Sequence, residues 1–217
     1  MRKPPHPLMP DPNLPPLIHV IDDDESLRNA LVRLLEAAGF EARGHASAGD
    51  FLLQPAPDRP GCLLLDVRMP GPSGLDLQAA LPGHRLGLPV IFMTGFADVP
   101  TSVRAMKAGA VDFLEKPVQR QDLLDAIARA LVLDKRQRRE RSEIARLRER
   151  FALLTVRERD VLEQVVAGKL NKQIAAALDV SERTIKTLRA QGMDKLGVAS
   201  PAELGVQFER LRHEPEV

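Results

Sequence analysis

Short apolar runs alternate with helical segments from residue 17 to about residue 133, and this alternation constrains the fold more than any other feature. The runs are brief, mostly apolar and bounded by turn residues, as buried parallel strands are. The three strongest lie at 17–21, 62–65 and 89–93, and two shorter ones lie at 41–44 and 110–114. Leucines at helical spacing follow the first run and stop at Gly39. The pattern predicts a doubly wound α/β domain with a five-stranded parallel sheet over residues 17–133.

The last part of the chain has only helical periodicity. Residues able to cap a helix precede the successive apolar stretches. The predicted caps are Thr155, Asn171 and Ser181, and Ser200 followed by Pro201 starts a fourth helix. Residues 151–217 are therefore predicted to form an all-α domain of four helices, with the size of a helix-turn-helix unit.

Charge is unevenly distributed, although the net charge is only +1. Residues 1–133 contain 13 basic and 16 acidic residues, residues 134–150 contain 8 and 4, and residues 151–217 contain 10 and 10. The basic segment begins at Asp134 with ten residues that include no apolar side chain. We interpret it as a solvated, charged helical linker between the two domains.

Composition excludes several classes of protein. Seven of the first sixteen residues are proline, and no run there is long or apolar enough for a signal peptide or membrane anchor. We therefore expect residues 1–16 to be the disordered tail of a cytoplasmic protein without a membrane partner. The single cysteine, Cys62, cannot form an internal disulfide and is predicted to be buried in a strand. Because Trp and Tyr are absent, base stacking on aromatic platforms is disfavoured, whereas duplex DNA is still allowed as a ligand.

Four predicted strands end in residues that together suit phosphoryl chemistry. Asp22 and Asp23 follow the first strand and Asp66 ends the third, while Thr94 and Lys116 follow the fourth and fifth. On one rim of a sheet, two carboxylates about 4 Å apart would repel by roughly 4 kcal/mol, so a cation is expected there. Mg²⁺ or Mn²⁺ suits such oxygen ligands. The set predicts an aspartate that accepts a phosphoryl group, with Thr94 and Lys116 neutralising the developing charge.

At these residues the sequence resembles a response-regulator receiver domain, which has a flavodoxin-like fold. The motifs IDDD, LLLDVRMPGPSG, FMTG and FLEKP carry the resemblance. It implies that Asp66 is the phosphoacceptor and that the Lys116–Pro117 bond is cis. The implied Mg²⁺ ligands are Asp66, Asp23 directly, Asp22 mainly through water, and the backbone carbonyl of Arg68.

The resemblance gives Phe113 a candidate role and gives Asp24 none. The resemblance makes Thr94 and Phe113 a switch pair, although a plain core aromatic explains Phe113 equally well. Asp24 has no implied role and is predicted to be a surface charge. Phe96 has no hydrogen-bonding group, so we predict that it does not assist water in hydrolysing the phosphoaspartate.

The third helix of the C-terminal domain has two different faces. Its apolar face contains Ile185, Leu188, Met193 and Leu196. The opposite face contains cations and small side chains, which fit the major groove of duplex DNA. Its residues are Arg183, Lys186, Thr187 and Ala190, with Arg189 at the margin. An ordinary amphipathic helix with a solvated face explains the pattern equally well.

The segment 154–197 resembles a LuxR-type helix-turn-helix, and nearly the whole chain resembles the FixJ/NarL family of transcriptional regulators. The implied base contacts are Lys186 and Thr187, and the candidate phosphate contacts are Lys172, Thr184 and Arg189. Arg183 lies on the same predicted DNA-binding face. Leu188 and Ala190 depart from residues common in the family, which leaves the target DNA sequence open.

Together the two domains predict a two-component response regulator. A sensor histidine kinase would phosphorylate Asp66, the chain would form a homodimer, and the dimer would bind promoter DNA at half-sites about 34 Å apart. RNA polymerase is a candidate further partner. The family resemblance implies a dimer that often uses the fourth helix and fifth strand, so the candidate interface consists of Val99, Pro100, Val103, Met106 and Lys107. Val103 and Met106 are also explained as core residues.

Two other functions stay open from the residues alone. An enzyme that passes through an aspartyl phosphate, such as a phosphatase, would need a second acid, and only Asp24 is spare near the rim. We therefore expect that the chain is not an enzyme. A protein-binding adaptor whose helical domain no longer reads DNA is the second alternative, and Leu188 motivates it.

Overall fold

The computed structural model describes residues 14–54, 59–84, 87–95 and 98–212. Phe96 and most of the proline-rich segment lie outside these described residues. The prediction of a disordered tail and the prediction that Phe96 does not assist hydrolysis therefore concern residues outside the described ranges. The chain divides into two compact units, residues 1–137 and 138–217, and the division falls within the predicted linker. Over the described ranges, no helix combines the length and apolar character needed to cross a membrane.

The first unit is a parallel sheet with helices packed on both faces. Its strands in the described residues are β1 (Leu17–Ile21), β2 (Glu41–His45), β3 (Gly61–Asp66), β4 (Val90–Thr94) and β5 (Asp112–Glu115). The order is β2-β1-β3-β4-β5, and every neighbouring pair is parallel. Its helices are α1 (Glu25–Ala37), α2 (Ala48–Leu53), α3 (Gly74–Ala80), a 3₁₀ turn (Leu81–His84), α4 (Val99–Lys107) and the first part of α5 (Arg120–Ala152). The predicted doubly wound α/β fold is confirmed.

Alternate residues of the central strands contribute to two separate cores. Leu63 and Leu65 of β3 pack with Phe51 on one face, while Cys62 and Leu64 pack on the other. Successive side chains of a strand point to opposite faces, so a strand covered on both sides is apolar throughout. Burial raises the pKa of the Cys62 thiol to about 12, and the prediction that this residue is a buried apolar side chain is confirmed.

Helix α5 contains 33 residues and includes the whole predicted linker. The helical prediction is confirmed, but the prediction that the stretch is solvated is wrong at its start. Asp134 is fully buried, and its Oδ2 accepts a hydrogen bond of 3.1 Å from the Gly61 amide. In the second unit, Ile144 and Leu147 are also buried. The charged sequence did not indicate the burial of Asp134 because its partner is a strand amide far away in the chain.

The second unit is all-α. After α5, its helices among the described residues are α6 (Val156–Val166), α7 (Asn171–Leu178), α8 (Glu182–Leu196) and α9 (Pro201–Arg212). Thr155 and Ser181 cap α6 and α8 as predicted, since each side chain accepts a backbone hydrogen bond. The prediction that Asn171 is a cap is wrong, because Leu170 holds the capping position. The side chain of Gln173 accepts the Leu170 amide at 2.8 Å, which satisfies that donor instead.

Helix α8 approaches α6 closely. A Cβ atom at Gly192 would lie 2.8 Å from Cδ1 of Leu162, so the contact depends on glycine at this position. Nζ of Lys195 lies 2.6 Å from Oε2 of Glu158, whose side chain is buried. These two contacts join α8 to α6 within the second unit.

Candidate functional site

Four strands end in polar residues at one rim of the sheet. Asp66 is the last residue of β3 and Thr94 is the last of β4. Asp22 directly follows β1, and Lys116 directly follows β5. Because all strands are parallel, their carboxyl ends share this edge, where ligands of such folds bind. The structure thus brings together the residues that the sequence predicted to converge.

Lys116 bridges two of the carboxylates. Its Nζ lies 2.7 Å from Oδ2 of Asp22 and 2.8 Å from Oδ2 of Asp66. Burial acts to lower the pKa of Lys116, but the hydrogen bonds to Asp22 and Asp66 outweigh it and raise that pKa above its ordinary value. Lys116 therefore stays cationic and offsets part of the repulsion between the carboxylates. The Lys116–Pro117 bond is cis, as predicted.

Asp22, Asp23 and Asp66 form a cluster that fits a hard divalent cation. One carboxylate oxygen from each residue lies within 4.8 Å of the others. Asp22 is fully buried and Asp66 is nearly so, while Asp23 is exposed and opens the cluster to solvent. Burial raises the pKa of Asp22, although Lys116 opposes that shift. Carboxylate oxygens with access to water are the donors that Mg²⁺ prefers.

Two loop residues near the cluster make backbone contacts. The Arg68 amide donates to Oδ1 of Asp66 at 3.2 Å, so Arg68, whose backbone carbonyl was predicted to be a cation ligand, lies beside this carboxylate. Asp24 is not merely a surface charge, because its Oδ1 accepts the Leu27 amide at 3.0 Å and caps α1. An acidic residue just before a helical apolar period was the sequence signal for this cap.

Thr94 and Phe113 lie on adjacent strands. Thr94 is buried, and its carbonyl accepts the Lys116 amide at 2.7 Å. The Phe113 ring is half-buried, and its centroid lies 6.2 Å from that of Phe92. Phe113 therefore packs at the margin of one core, a placement compatible with both the switch and the core interpretations.

Helix α8 presents the predicted DNA-binding residues to solvent. The exposed members are Arg183, Thr184, Lys186 and Thr187, together with Lys172 of α7. Arg189 is half-buried and donates to Oδ1 of Asn171 at 3.3 Å. Leu188 packs partly buried against the core of the second unit, as its place on the apolar face predicted. The cationic face of α8 is therefore distinct from the face that contains Leu188.

Two family models match separate parts of the chain. Residues 18–128 match the response regulator receiver domain, and residues 152–207 match the bacterial regulatory proteins of the luxR family. The chain belongs to the response-regulator family. This response regulator combines a receiver domain with a LuxR-type DNA-binding domain, an arrangement that implies a kinase partner and DNA binding. The family consists of transcriptional regulators rather than typical enzymes.

Relatives resemble the response regulator over both domains. It is 43% identical over 188 residues to nodulation protein W of Bradyrhizobium diazoefficiens, which covers 87% of this chain and 83% of that protein. It is 44% identical over 187 residues to the transcriptional regulatory protein FixJ of Azorhizobium caulinodans, which covers 86% and 89%. The solved structure of the response regulator StyR matches with a TM-score of 0.76 and 44% identity. The match covers 91% of this chain and 100% of that one.

Helix α4 of the response regulator exposes an apolar stripe. Val99, Val103 and Met106 are 74%, 44% and 46% exposed. Pro100 and Lys107 are exposed beside them. The alternative that Val103 and Met106 are core residues is therefore wrong, and Ala105 is the buried residue of this helix.

Proposed function

We propose that a sensor histidine kinase phosphorylates this response regulator on Asp66 and that the phosphorylated chain binds promoter DNA as a homodimer. The observation that carries the proposal is the Lys116 ammonium, which lies 2.8 Å from Oδ2 of Asp66 beside the carboxylates of Asp22 and Asp23. A nucleophilic carboxylate next to a fixed cation and hard oxygen donors suits phosphoryl transfer to aspartate.

In the proposed transfer, a carboxylate oxygen of Asp66 bonds to the phosphorus of a phosphohistidine. The P–N bond breaks, its electron pair returns to the imidazole nitrogen, and that nitrogen takes a proton from solvent. Lys116 stabilises the negative charge on the phosphoryl oxygens, and the Thr94 hydroxyl donates to one of them. Asp22, Asp23, Asp66 and the Arg68 carbonyl would hold Mg²⁺ or Mn²⁺, which neutralises phosphoryl charge when bound.

The response to phosphorylation would reach the rest of the molecule through Thr94 and Phe113. If only the active state of the receiver domain forms the dimer, dimerisation shifts the population toward that state. The exposed stripe of α4 is the proposed dimer surface, since its apolar side chains lose water on association. Dimerisation would place two copies of α8 on successive half-sites about 34 Å apart.

Intact-mass spectrometry tests the first step. The chain is incubated with acetyl phosphate and Mg²⁺, and we expect it to gain the mass of one phosphoryl group. Asp66→Asn should gain none. Asp24→Asn is the matched control, because it removes a neighbouring charge while asparagine still caps α1. Equal phosphorylation of Asp66→Asn and the wild type would contradict the assignment.

Footprinting across genomic fragments, with and without phosphorylation, tests DNA binding. We expect protected sites that strengthen on phosphorylation. Lys186→Ala should weaken binding by roughly tenfold or more, as loss of a base contact does. Arg212→Ala, which removes the same charge at the end of α9, should change binding little. Absence of protection in either state would favour the adaptor alternative.

A further inference from the structure

Asp22 is held by a partner at each of its polar atoms. Its amide donates to the His45 carbonyl at 3.2 Å, and its Oδ1 accepts the Asp24 amide at 2.9 Å. Its Oδ2 accepts from Lys116, and its own carbonyl accepts from Nη1 of Arg28 at 2.7 Å. The Arg28 contact differs from the other three because it comes from a long side chain on a helix outside the rim.

The Arg28 side chain crosses β2 at a glycine. Arg28 lies on α1, and it reaches back over the end of β2 to the residue that follows β1. A Cβ atom at Gly44 would lie 3.1 Å from Cγ of Arg28 and 3.2 Å from its Cδ. Gly44 therefore leaves the room through which Arg28 passes. The guanidinium is a charged donor, so its bond to the Asp22 carbonyl is stronger than a neutral one.

We propose that Arg28 is a positioning residue for the cation site. It ties the loop 22–24 to α1, so that Asp22 and Asp23 present their oxygens together with Asp66. Loss of a side chain that orients a metal ligand from outside typically weakens metal binding by about 10- to 100-fold. This inference rests on the proposed function, since it assumes that the carboxylate cluster binds a divalent cation.

The sign of the effect separates positioning from simple electrostatics. Arg28 is a positive charge near the cluster, so its removal would by itself increase the affinity for a cation. If Arg28 positions the loop, its removal instead decreases that affinity. The two explanations therefore predict opposite results for the same variant.

Titration of the unphosphorylated chain with Mn²⁺ tests the proposal, with the free ion followed by electron paramagnetic resonance. We expect Arg28→Met to weaken Mn²⁺ binding by about tenfold. Arg33→Met is the matched control, because it removes the same charge from an exposed position on the same helix. It should bind Mn²⁺ as tightly as the wild type or slightly more tightly. Asp66→Asn gives the background from other acidic groups.

Gly44→Ala provides a second, independent variant. Its methyl group presses on Cγ and Cδ of Arg28, which must shift by a few tenths of an ångström while the guanidinium charge is retained, so we expect a smaller loss of Mn²⁺ affinity. In the double variant with Arg28→Met, the alanine should add no further loss, because its target is already gone. Additive losses would show that Gly44 acts on the site without Arg28, and would overturn the pathway proposed here.

The outcomes distinguish this inference from the proposed function. A wild type that binds no Mn²⁺ above the Asp66→Asn background would remove the cation site and the inference together. Normal binding by the wild type, with equal or tighter binding by Arg28→Met, would overturn only the inference. Far-UV circular dichroism establishes that each variant is folded. If Arg28→Met fails to fold, Gly44→Ala alone decides, and its unchanged affinity would overturn the proposal.

Discussion

Acidification should destabilise the first unit through two buried imidazole rings. Nδ1 of His19 lies 3.0 Å from Nε2 of His45, and the two residues are 4% and 1% exposed. The Phe51 ring packs edge-on against both, with centroid distances of 5.1 and 5.2 Å. Burial, reinforced by the nearby His45, lowers the pKa of His19 to about 4, and burial also lowers the pKa of His45. Both rings are therefore neutral at pH 7.

The charged neighbours leave this direction unchanged. Arg43 and Arg59 lower the pKa of the first ring further. At His45 the carboxylate of Asp50 acts to raise the pKa, while Arg43 and Arg28 act to lower it, and the effect of burial exceeds that of Asp50. The pair is thus a neutral, hydrogen-bonded group within an apolar core.

The magnitude follows from the His19 pKa. Since it falls from 6.5 to about 4 on folding, the unfolded chain binds more protons than the folded chain between these values. The stability that comes from keeping His19 neutral is therefore fully present above about pH 6.5 and is lost as the pH falls toward about 4. The shift corresponds to a loss on the order of 3 kcal/mol in the free energy of unfolding.

Nuclear magnetic resonance titration of the histidine rings, combined with urea unfolding at about pH 7.5 and about pH 5, measures this effect. We expect the His19 ring to stay neutral at the lower pH while the free energy of unfolding decreases. A chain with both His19→Leu and His45→Leu keeps an apolar core, and its stability should depend less on pH. An ordinary His19 pKa near 6.5, or an unchanged pH dependence in that variant, would refute the reasoning.

Three further predictions concern single contacts. Gly192→Ala places a methyl group against Leu162, so the second unit should lose about 1–3 kcal/mol in urea unfolding. Asp24→Ala removes the cap of α1 and should lower the stability of the first unit by about 1 kcal/mol, measured in the same way. The Lys195 hydrogen bond lowers the pKa of Glu158, so this pair stabilises the second unit at neutral pH and stops doing so as the pH falls through the lowered pKa. Glu158→Gln should remove that part of the pH dependence.

Each of these predictions has a matched comparison. Gly205→Ala lies on α9 with open space around the new methyl group, so it should not destabilise the second unit. Equal stability of the two alanine variants would contradict the close contact at Gly192. Asp24→Asn retains a capping side chain and should match the wild type in stability. An unchanged pH dependence in Glu158→Gln would exclude the ion pair as its source.

The sequence predicted the sheet and the rim because their signals are local. Buried strands are recognisable as apolar runs, and Asp66, Thr94 and Lys116 each stand at the end of one. Parallel pairing then requires these ends to meet, so convergence follows from the fold class alone. The caps at Thr155 and Ser181 were predictable for the same reason, since a cap and its helix are adjacent in the chain. The prediction that Asn171 caps α7 was wrong because the capping position is Leu170, whose amide donates a hydrogen bond to the Gln173 side chain.

The amino-acid sequence by itself determined the two domain types, the phosphoacceptor candidate and the cationic face of α8. Only the tertiary structure decided which residues support them, such as Arg28 over Gly44, the imidazole pair, and Asp134 on the Gly61 amide. The physical reason is that these contacts join residues far apart in the chain. Periodicity and motif spacing show which face a residue occupies, but hydrogen bonds and close packing are sensitive to changes of a few tenths of an ångström in interatomic distance. Those distances are set only when the helices and strands pack together.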